Sequence, residues 1–478
     1  MSLHLRLFFR EVAQRGMRTT LRLALRSVLA LVLGSLLCAT GAVASEPAPP
    51  ESLTLMESVQ YGLDNNPNLE AAEFEIQKSE SQLGQARSRF LPQLSTSWQQ
   101  QKLESISAEG PTETDFLDQD FSSFSIQLIQ PLFAGLSNLS GYQKAKLQKR
   151  LSREEKNRVK LQLILDIQGN FLKLLKARED VRTLEETVKR LKVNVESARA
   201  YQRQEMIPYY QVLQAEVELA DAEQEMSQAR NSIRKLEFAL NSLLDIPVQS
   251  DTAYLGRLSD FHRDFSYTYE QALSQALKNR PELKSAQIQV DMVLEQLDVE
   301  RGKFFPSLDL VGGYNLSDRD YSEETTNIFG ETTDRDQENE YWTIGVRLNW
   351  DLFAGGRKIH RYQEFKHEWQ RMRSKVRDIE NRIHNQVRSS HISFQEAKGR
   401  VKTTRKAVEA AREGYARAGK NLELGLGTMP ELLDAQDRLR RAEGNWNKAR
   451  GDQLLAKAQL FFSMGLPNTG LDPELPEE

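Results

Sequence analysis

The chain is one pattern written twice, and that duplication limits what its 478 residues can fold into. Asn65-Asn66-Pro67-Asn68-Leu69 and Phe90-Leu91-Pro92-Gln93-Leu94 return as Asn279-Arg280-Pro281-Glu282-Leu283 and Phe304-Phe305-Pro306-Ser307-Leu308, an offset of 214. Leu132-Phe133-Ala134-Gly135 returns as Leu352-Phe353-Ala354-Gly355, where the offset has become 220. It stays at 220 through Val212-Leu213-Gln214-Ala215 and Leu432-Leu433-Asp434-Ala435, and on to the match of Leu240–Pro247 with Leu460–Pro467. The second repeat is six residues longer in the single stretch between these landmarks, as surface loops tolerate. Everything after that stretch has one length in both copies.

The length-locked stretches read as helices. No proline falls between Gly135 and Glu205. Val181, Leu184, Val188, Leu191, Val195 and Ala198 recur at alternating steps of three and four. Leu219, Ala222, Met226, Ala229, Ile233, Leu236, Leu240 and Leu243 continue the pattern on the return stretch. The second repeat carries Val408, Ala411, Tyr415, Ala418 and Leu422, then Leu439, Ala442, Trp446 and Ala449. These are coiled-coil seams, rich in alanine where helices approach closely. Long helices are expected over 135–205, 211–246, 355–425 and 431–464.

The variable stretches read as strand pairs. Trp342, Ile344, Val346, Leu348 and Trp350 alternate with Thr343, Gly345, Arg347 and Asn349, a period of two. Phe124, Ile126 and Leu128 do the same less cleanly. Strands are expected over 90–102, 122–134, 304–316 and 340–354, with acidic loops over 103–121 and 317–339. Ten-residue strands with tryptophans at their ends suit a tilted crossing of a bilayer. Four strands cannot close a barrel, and an open sheet would leave bare edges in lipid. If these strands enter a membrane, several chains must share one barrel. A half-buried sheet in a soluble coiled-coil protein is the competing reading.

Mean hydropathy is −0.58 and no stretch after the N-terminus approaches a membrane-spanning helix, which excludes a helical membrane protein. Residues 1–44 read as an export signal: Arg18, Arg22 and Arg26, an apolar run from Val28 to Leu37, then Ala42-Val43-Ala44. Either Met1 or Met17 could start it. Cys38, the only cysteine, lies inside this signal, and Leu37 before it is a poor match to a lipidation site. The formal charge of −4 becomes more negative without residues 1–44, which hold six Arg and one Glu. That argues against nucleic acid as a partner. The pairs His360/His367 and His384/His391 are seven apart, too far along a helix to share a metal, and read as solvated positions. No GxSxG, P-loop, HExxH or CxxC occurs, so no enzyme, metal or cofactor is expected.

The order of these elements, a strand pair ending in QPLFAGLSN and a long helical hairpin, repeated with WDLFAGGRK, resembles the TolC or outer membrane efflux protein family over about 51–467. The resemblance implies a mainly α fold with membrane β: a tandem-repeat protomer of a trimeric, twelve-stranded outer-membrane β-barrel continued by a long periplasmic coiled-coil barrel. Its parts would be the signal 1–44, repeats over 45–247 and 267–467, a linker 248–266 and a tail 468–478. It implies an export channel of a tripartite efflux pump or type I secretion system, in the outer membrane with a periplasmic extension. Its partners would be two more copies of itself, outer-membrane lipid, a periplasmic membrane-fusion adaptor and an inner-membrane pump of RND, ABC or MFS type. Glu431 and Asp434 would line the periplasmic aperture, where the first repeat has Gln211 and Gln214. Both acids would equally suit a helix N-terminus. Gly427 stands where the family's latch has a basic partner. Met206, Ile207 and Pro208 in one helix turn, and Leu424, Gly425 and Leu426 in the other, would meet the adaptor. The alternative is a non-conducting periplasmic coiled-coil adaptor or structural protein.

Overall fold

The computed structural model describes residues 50–108, 114–261, 267–321, 325–326, 332–333 and 337–468. The stretch read as an export signal, with Cys38, parts of the two acidic loops and all of the tail except Asn468 lie outside the described residues. The first repeat runs β1 (Ser52–Leu53), α1 (Leu55–Asn65), α2 (Pro67–Ser88), β2 (Gln93–Ala108), β3 (Thr114–Ala134), α3 (Ser137–Arg203) and α4 (Tyr209–Leu243). The second runs β4 (Ala253–Tyr254), α5 (Tyr269–Asn279), α6 (Pro281–Gly302), β5 (Ser307–Tyr321), the short pair β6 (Thr325–Thr326) and β7 (Thr332–Thr333), β8 (Gln337–Asn349), α7 (Arg357–Glu423) and α8 (Met429–Ser463). Matched helices have equal lengths: 11, 22, 67 and 35 residues in both repeats.

Local chemistry sets the helix starts. Thr54 begins α1 with a reciprocal capping box to Glu57, and Thr268 does the same for α5 with Gln271. Pro67 and Pro281 open α2 and α6, where a missing N–H costs nothing. The helices form a wall. Near the sheet its order is α2–α3–α6–α7; farther away it is α4–α3–α8–α7. Thus α3 and α7, each about 100 Å long at 1.5 Å per residue, run the full height while shorter helices succeed one another beside them. Asn66 Nδ2 donates to the Leu243 carbonyl at 2.8 Å where α2 and α4 meet end to end.

Three apolar clusters hold the wall. At mid-height, Phe171, Leu172, Leu174 and Leu175 of α3 pack with Val59, Leu240, Tyr254 and Leu258. Ala272, Leu283, Ile383, Phe394, Leu460 and Met464 form the second-repeat counterpart. Val188, Leu191, Val195, Val212, Met429 and Leu432 form the third, at the far tip. Of the stretch expected as a linker, 248–266, the described part takes part in the first through Tyr254, Leu258 and Phe261. β4 pairs in parallel with β1, a 3₁₀ turn covers Leu258–Phe261, and Tyr254 and Leu258 are fully buried.

The sheet order is β2–β3–β5–β8, every pair antiparallel. Its register stacks Leu94, Leu128, Gly312 and Ile344 in one row and Thr96, Ile126, Tyr314 and Trp342 in the next. One face is therefore apolar. The intervening rows place Ser97, Ser125, Asn315 and Tyr341 on the other, where Ser97 and Ser125 hydroxyls bond at 2.8 Å. Pro131, which has no N–H for the ladder, sits at the bulge between Pro131 and Phe133. The strands run farther into the acidic loops than expected, because a hairpin ladder needs only backbone to continue after the apolar alternation stops. β2 and β8 are the open edges. Among the described residues no helix is long and apolar enough to cross a membrane.

Candidate functional site

The wall's far end is made of two helix turns with one geometry. After α3, the Met206 N–H reaches the Tyr201 carbonyl at 2.9 Å; after α7, the Leu426 N–H reaches Asn421 at 2.8 Å. Both are C-terminal caps closed by one left-handed residue, Glu205 (φ 58°) in the first turn and Gly425 (φ 71°) in the second. Met206, Leu424 and Leu426 stand exposed, with Tyr209 and Tyr210 beside them. Ile207 instead packs against the tip cluster, and Pro208 caps α4. The six residues expected at the turns thus divide: Met206, Leu424, Gly425 and Leu426 face outward, while Ile207 and Pro208 fix the turn.

Glu431 lies in the first turn of α8, where its Oε2 accepts the Thr428 N–H at 2.9 Å. Asp434, one turn on, is exposed and ion-paired with Arg438 at 2.8 Å. The two acids share a helix face but hold different partners, so Glu431 has a capping role whatever else it does. Asp434 lines a groove of about 930 Å³ between α4 and α8, floored by Thr187 and Leu191 of α3.

A polar layer near this groove escaped sequence reasoning. The largely buried Glu443 of α8 accepts from Arg190 of α3 at 2.9 Å and pairs with Arg412 of α7 at 3.5 Å. Arg190 also reaches Gln436, and Asn447 reaches Thr183 at 2.9 Å. Arg440 of α8 bridges to Glu225 of α4 at 2.8 Å and to Asp437 at 2.6 Å. First-repeat and second-repeat helices are therefore joined by charge as well as by the apolar seam. The signal available was the polar residues interrupting the heptads, which periodicity alone passes over. Among the histidines, His360 and His367 are exposed, but His384 and His391 are half-buried, and His391 Nε2 lies 3.0 Å from the Tyr267 carbonyl, so these two are not simply solvated.

The repeat architecture, the open four-stranded sheet and the two-turn tip together specify a family. The family model described as outer membrane efflux protein matches residues 59–245 and 272–466, one match per repeat. The chain belongs to the outer membrane efflux protein family. Among relatives, the alkaline protease secretion protein AprF of Pseudomonas aeruginosa is 25% identical over 434 residues, covering 87% of this chain and 85% of AprF. The outer membrane protein TolC of Escherichia coli is 22% identical over 436 residues, covering 87% and 82%. The crystal structure of the outer membrane protein VceC of Vibrio cholerae superposes with a TM-score of 0.71 at 15% identity, covering 86% of this chain and 96% of VceC. The fold of this family member is thus the TolC-like one, a strand-bearing sheet continued by a long helical wall.

Proposed function

We propose that the chain is one protomer of a trimeric outer-membrane exit duct, serving an efflux pump or a type I secretion system. The observation that carries this is a sheet with one apolar face and two unpaired edges, continuous with a helical wall about 100 Å tall. Three copies supply twelve strands, which removes every bare edge from lipid. The sheet's apolar face meets lipid, its polar face lines the duct, and the wall extends through the periplasm toward an adaptor and an inner-membrane pump. Names of relatives support both efflux and secretion.

At the tip, Glu431 and Asp434 from three copies form the aperture and favour cations by Coulomb attraction. Met206, Leu424, Gly425 and Leu426 receive the adaptor, with Ile207 and Pro208 holding the turn in shape. The test is single-channel current in a planar bilayer, comparing wild type with Glu431→Gln/Asp434→Asn. Glutamine keeps the cap to Thr428 while removing charge. A discrete current with weaker cation preference in the variant supports duct and aperture. Current of unchanged selectivity removes the aperture assignment. A chain that neither trimerises nor inserts is the periplasmic coiled-coil protein instead.

A further inference from the structure

Helix α7 is strongly basic in a chain whose formal charge is −4: it carries 18 Lys and Arg against 8 Asp and Glu. Charges on a helix surface ordinarily stand beside partners of the other sign. On one face of α7 they do. Arg371 pairs with Glu368 at 2.5 Å, Arg382 with Asp378 at 2.9 Å and Arg400 with Asp452 at 3.7 Å. On the opposite face they do not. Lys366, Arg373, Arg377, Arg388 and Lys402 fall within about 60° of one another at about 100° per residue. All five are exposed, and none has an ion-pair partner among the described residues. Arg373 lies over the Trp369 ring and Arg388 over the Tyr269 ring, both at 4.8 Å. Arg373 and Arg377 line a groove of about 570 Å³ between α6 and α7; Asp291 and Glu380 line it too, but neither pairs with either arginine.

The direction of this row follows from its neighbours. α7 is the last helix of the wall, so its free side meets the next copy in a closed duct. Ser374, Asn381, Ile392, Gly399 and Ala410 form an exposed, uncharged line on that side, suited to such a seam. The basic row lies between this line and the buried face of Ile383, Val387 and Phe394. It therefore faces solvent rather than a helix of either copy. Helix α5 lies against α7 on the same side, with His391 Nε2 3.0 Å from the Tyr267 carbonyl and Tyr269 under Arg388. α5 is an addition to the wall neighbours α6 and α8. In a duct such an added layer belongs outside, because three copies of it inside would fill the bore. The basic row is then on the outer surface.

We infer that the basic row of α7 binds peptidoglycan where the duct passes through the cell wall. The inference rests on the duct reading, which carries this stretch of helix across the periplasm. Peptidoglycan is a polymer whose peptide stems present free carboxylates at repeated intervals. The row matches it in sign and in reach, being about 54 Å long from Lys366 to Lys402 at 1.5 Å per residue. Stacking holds the Arg373 and Arg388 guanidinium planes against aromatic rings and leaves their N–H edges free to donate to a carboxylate. With no acid of its own chain paired to the row, a polymer carboxylate displaces no partner there. Each contact is exposed and weak, and several along one chain add through multivalency.

The test is co-sedimentation of the detergent-solubilised protein with protein-free peptidoglycan sacculi at low salt. The row variant is Arg373→Gln/Arg377→Gln/Lys402→Gln. Its control, Arg371→Gln/Arg382→Gln/Arg400→Gln, loses the same charge from the opposite face. Wild type and control should sediment with the sacculi and the row variant several-fold less. Amidating the sacculus carboxylates should abolish the difference by removing the binding. A wild type that stays in the supernatant overturns the inference, as do equal binding by the two variants and binding indifferent to amidation. Native mass and single-channel current on the same samples separate the other occupants. A row variant that fails to trimerise where the control succeeds gives the row to acids of the next copy and overturns the inference. A row variant with altered ion selectivity and unaltered sedimentation places the row in the bore and overturns it too. A wild type that forms neither trimer nor current brings down the duct reading itself.

Discussion

Gly135 and Gly355 occupy matched places in the two repeats at nearly the same backbone angle, φ 59° and φ 60°, but in different surroundings. A Cβ on Gly355 would meet nothing within 4 Å. A Cβ on Gly135 would lie 2.0 Å from the Gly302 carbonyl oxygen, far inside the contact distance of about 3.3 Å. Gly302 is equally constrained, since its own Cβ would lie 2.2 Å from Ser137 Oγ. Gly355→Ala therefore incurs only the left-handed penalty, about 1 kcal/mol. Gly135→Ala adds an overlap with backbone that cannot rotate away, about 3 kcal/mol or more. The backbone conformation is the same, so the difference isolates crowding from dihedral strain. The assay is thermal unfolding of the two purified alanine variants in detergent, followed by helical circular dichroism. Gly355→Ala should melt within a few degrees of wild type, and Gly135→Ala should melt far lower or fail to assemble. Equal losses would refute the reasoning, because they would mean that the close approach of α6 to the β3–α3 turn contributes nothing.

Glu205→Gly should raise stability by about 0.5–1 kcal/mol, the left-handed penalty relieved less glycine's extra freedom in the unfolded chain, and Gly425→Glu should lower it; paired melting curves check the opposite signs. Glu443→Ala should cost about 2 kcal/mol by leaving Arg190 without its carboxylate, and Arg190→Met/Glu443→Leu should cost less than the single change, as a double-mutant cycle would read. Burial pushes the Tyr254 phenol above its ordinary value of 10, with nearby Glu237 adding to the shift. A raised pKa means that the neutral hydroxyl's contribution is complete below about pH 10 and declines as pH climbs toward the folded-state value. Tyr254→Phe should therefore flatten the loss of stability above pH 10, while costing about 1–2 kcal/mol at neutral pH by leaving Asn241 Oδ1 without its 2.5 Å donor.

The long helices were legible because a three-four rhythm sustained over many turns has no other solution, and the β5–β8 pair because its alternation is nearly unbroken. The β1–β4 bridge was not, since two-residue strands have no period to detect. Tyr254 and Leu258 consequently looked like linker residues although they complete the mid-height core. At the tip, the two turns were legible in sequence, and the helices end and restart around them at 204–208 and 424–428. Sequence could not distinguish Ile207, turned inward, from Met206, turned outward, because both are apolar residues in a turn. The Arg190–Glu443 tie was hidden for another reason: its partners lie 253 residues apart, and charge on a helix ordinarily marks a solvated face.

The equality of helix lengths between the repeats has a consequence for how such a chain can change. Inserting one residue into α3 would turn everything beyond it by about 100° and carry its seam off α4, α6 and α8 together. Such an insertion is tolerable only with matching insertions in each neighbour, a coincidence that single mutational events almost never supply. The wall behaves like meshed gearing whose tooth count is frozen, and the history of this architecture must be written almost wholly in its loops. The six residues by which the second repeat is longer fall in the strand-pair stretch, outside the long helices whose seams must stay in step.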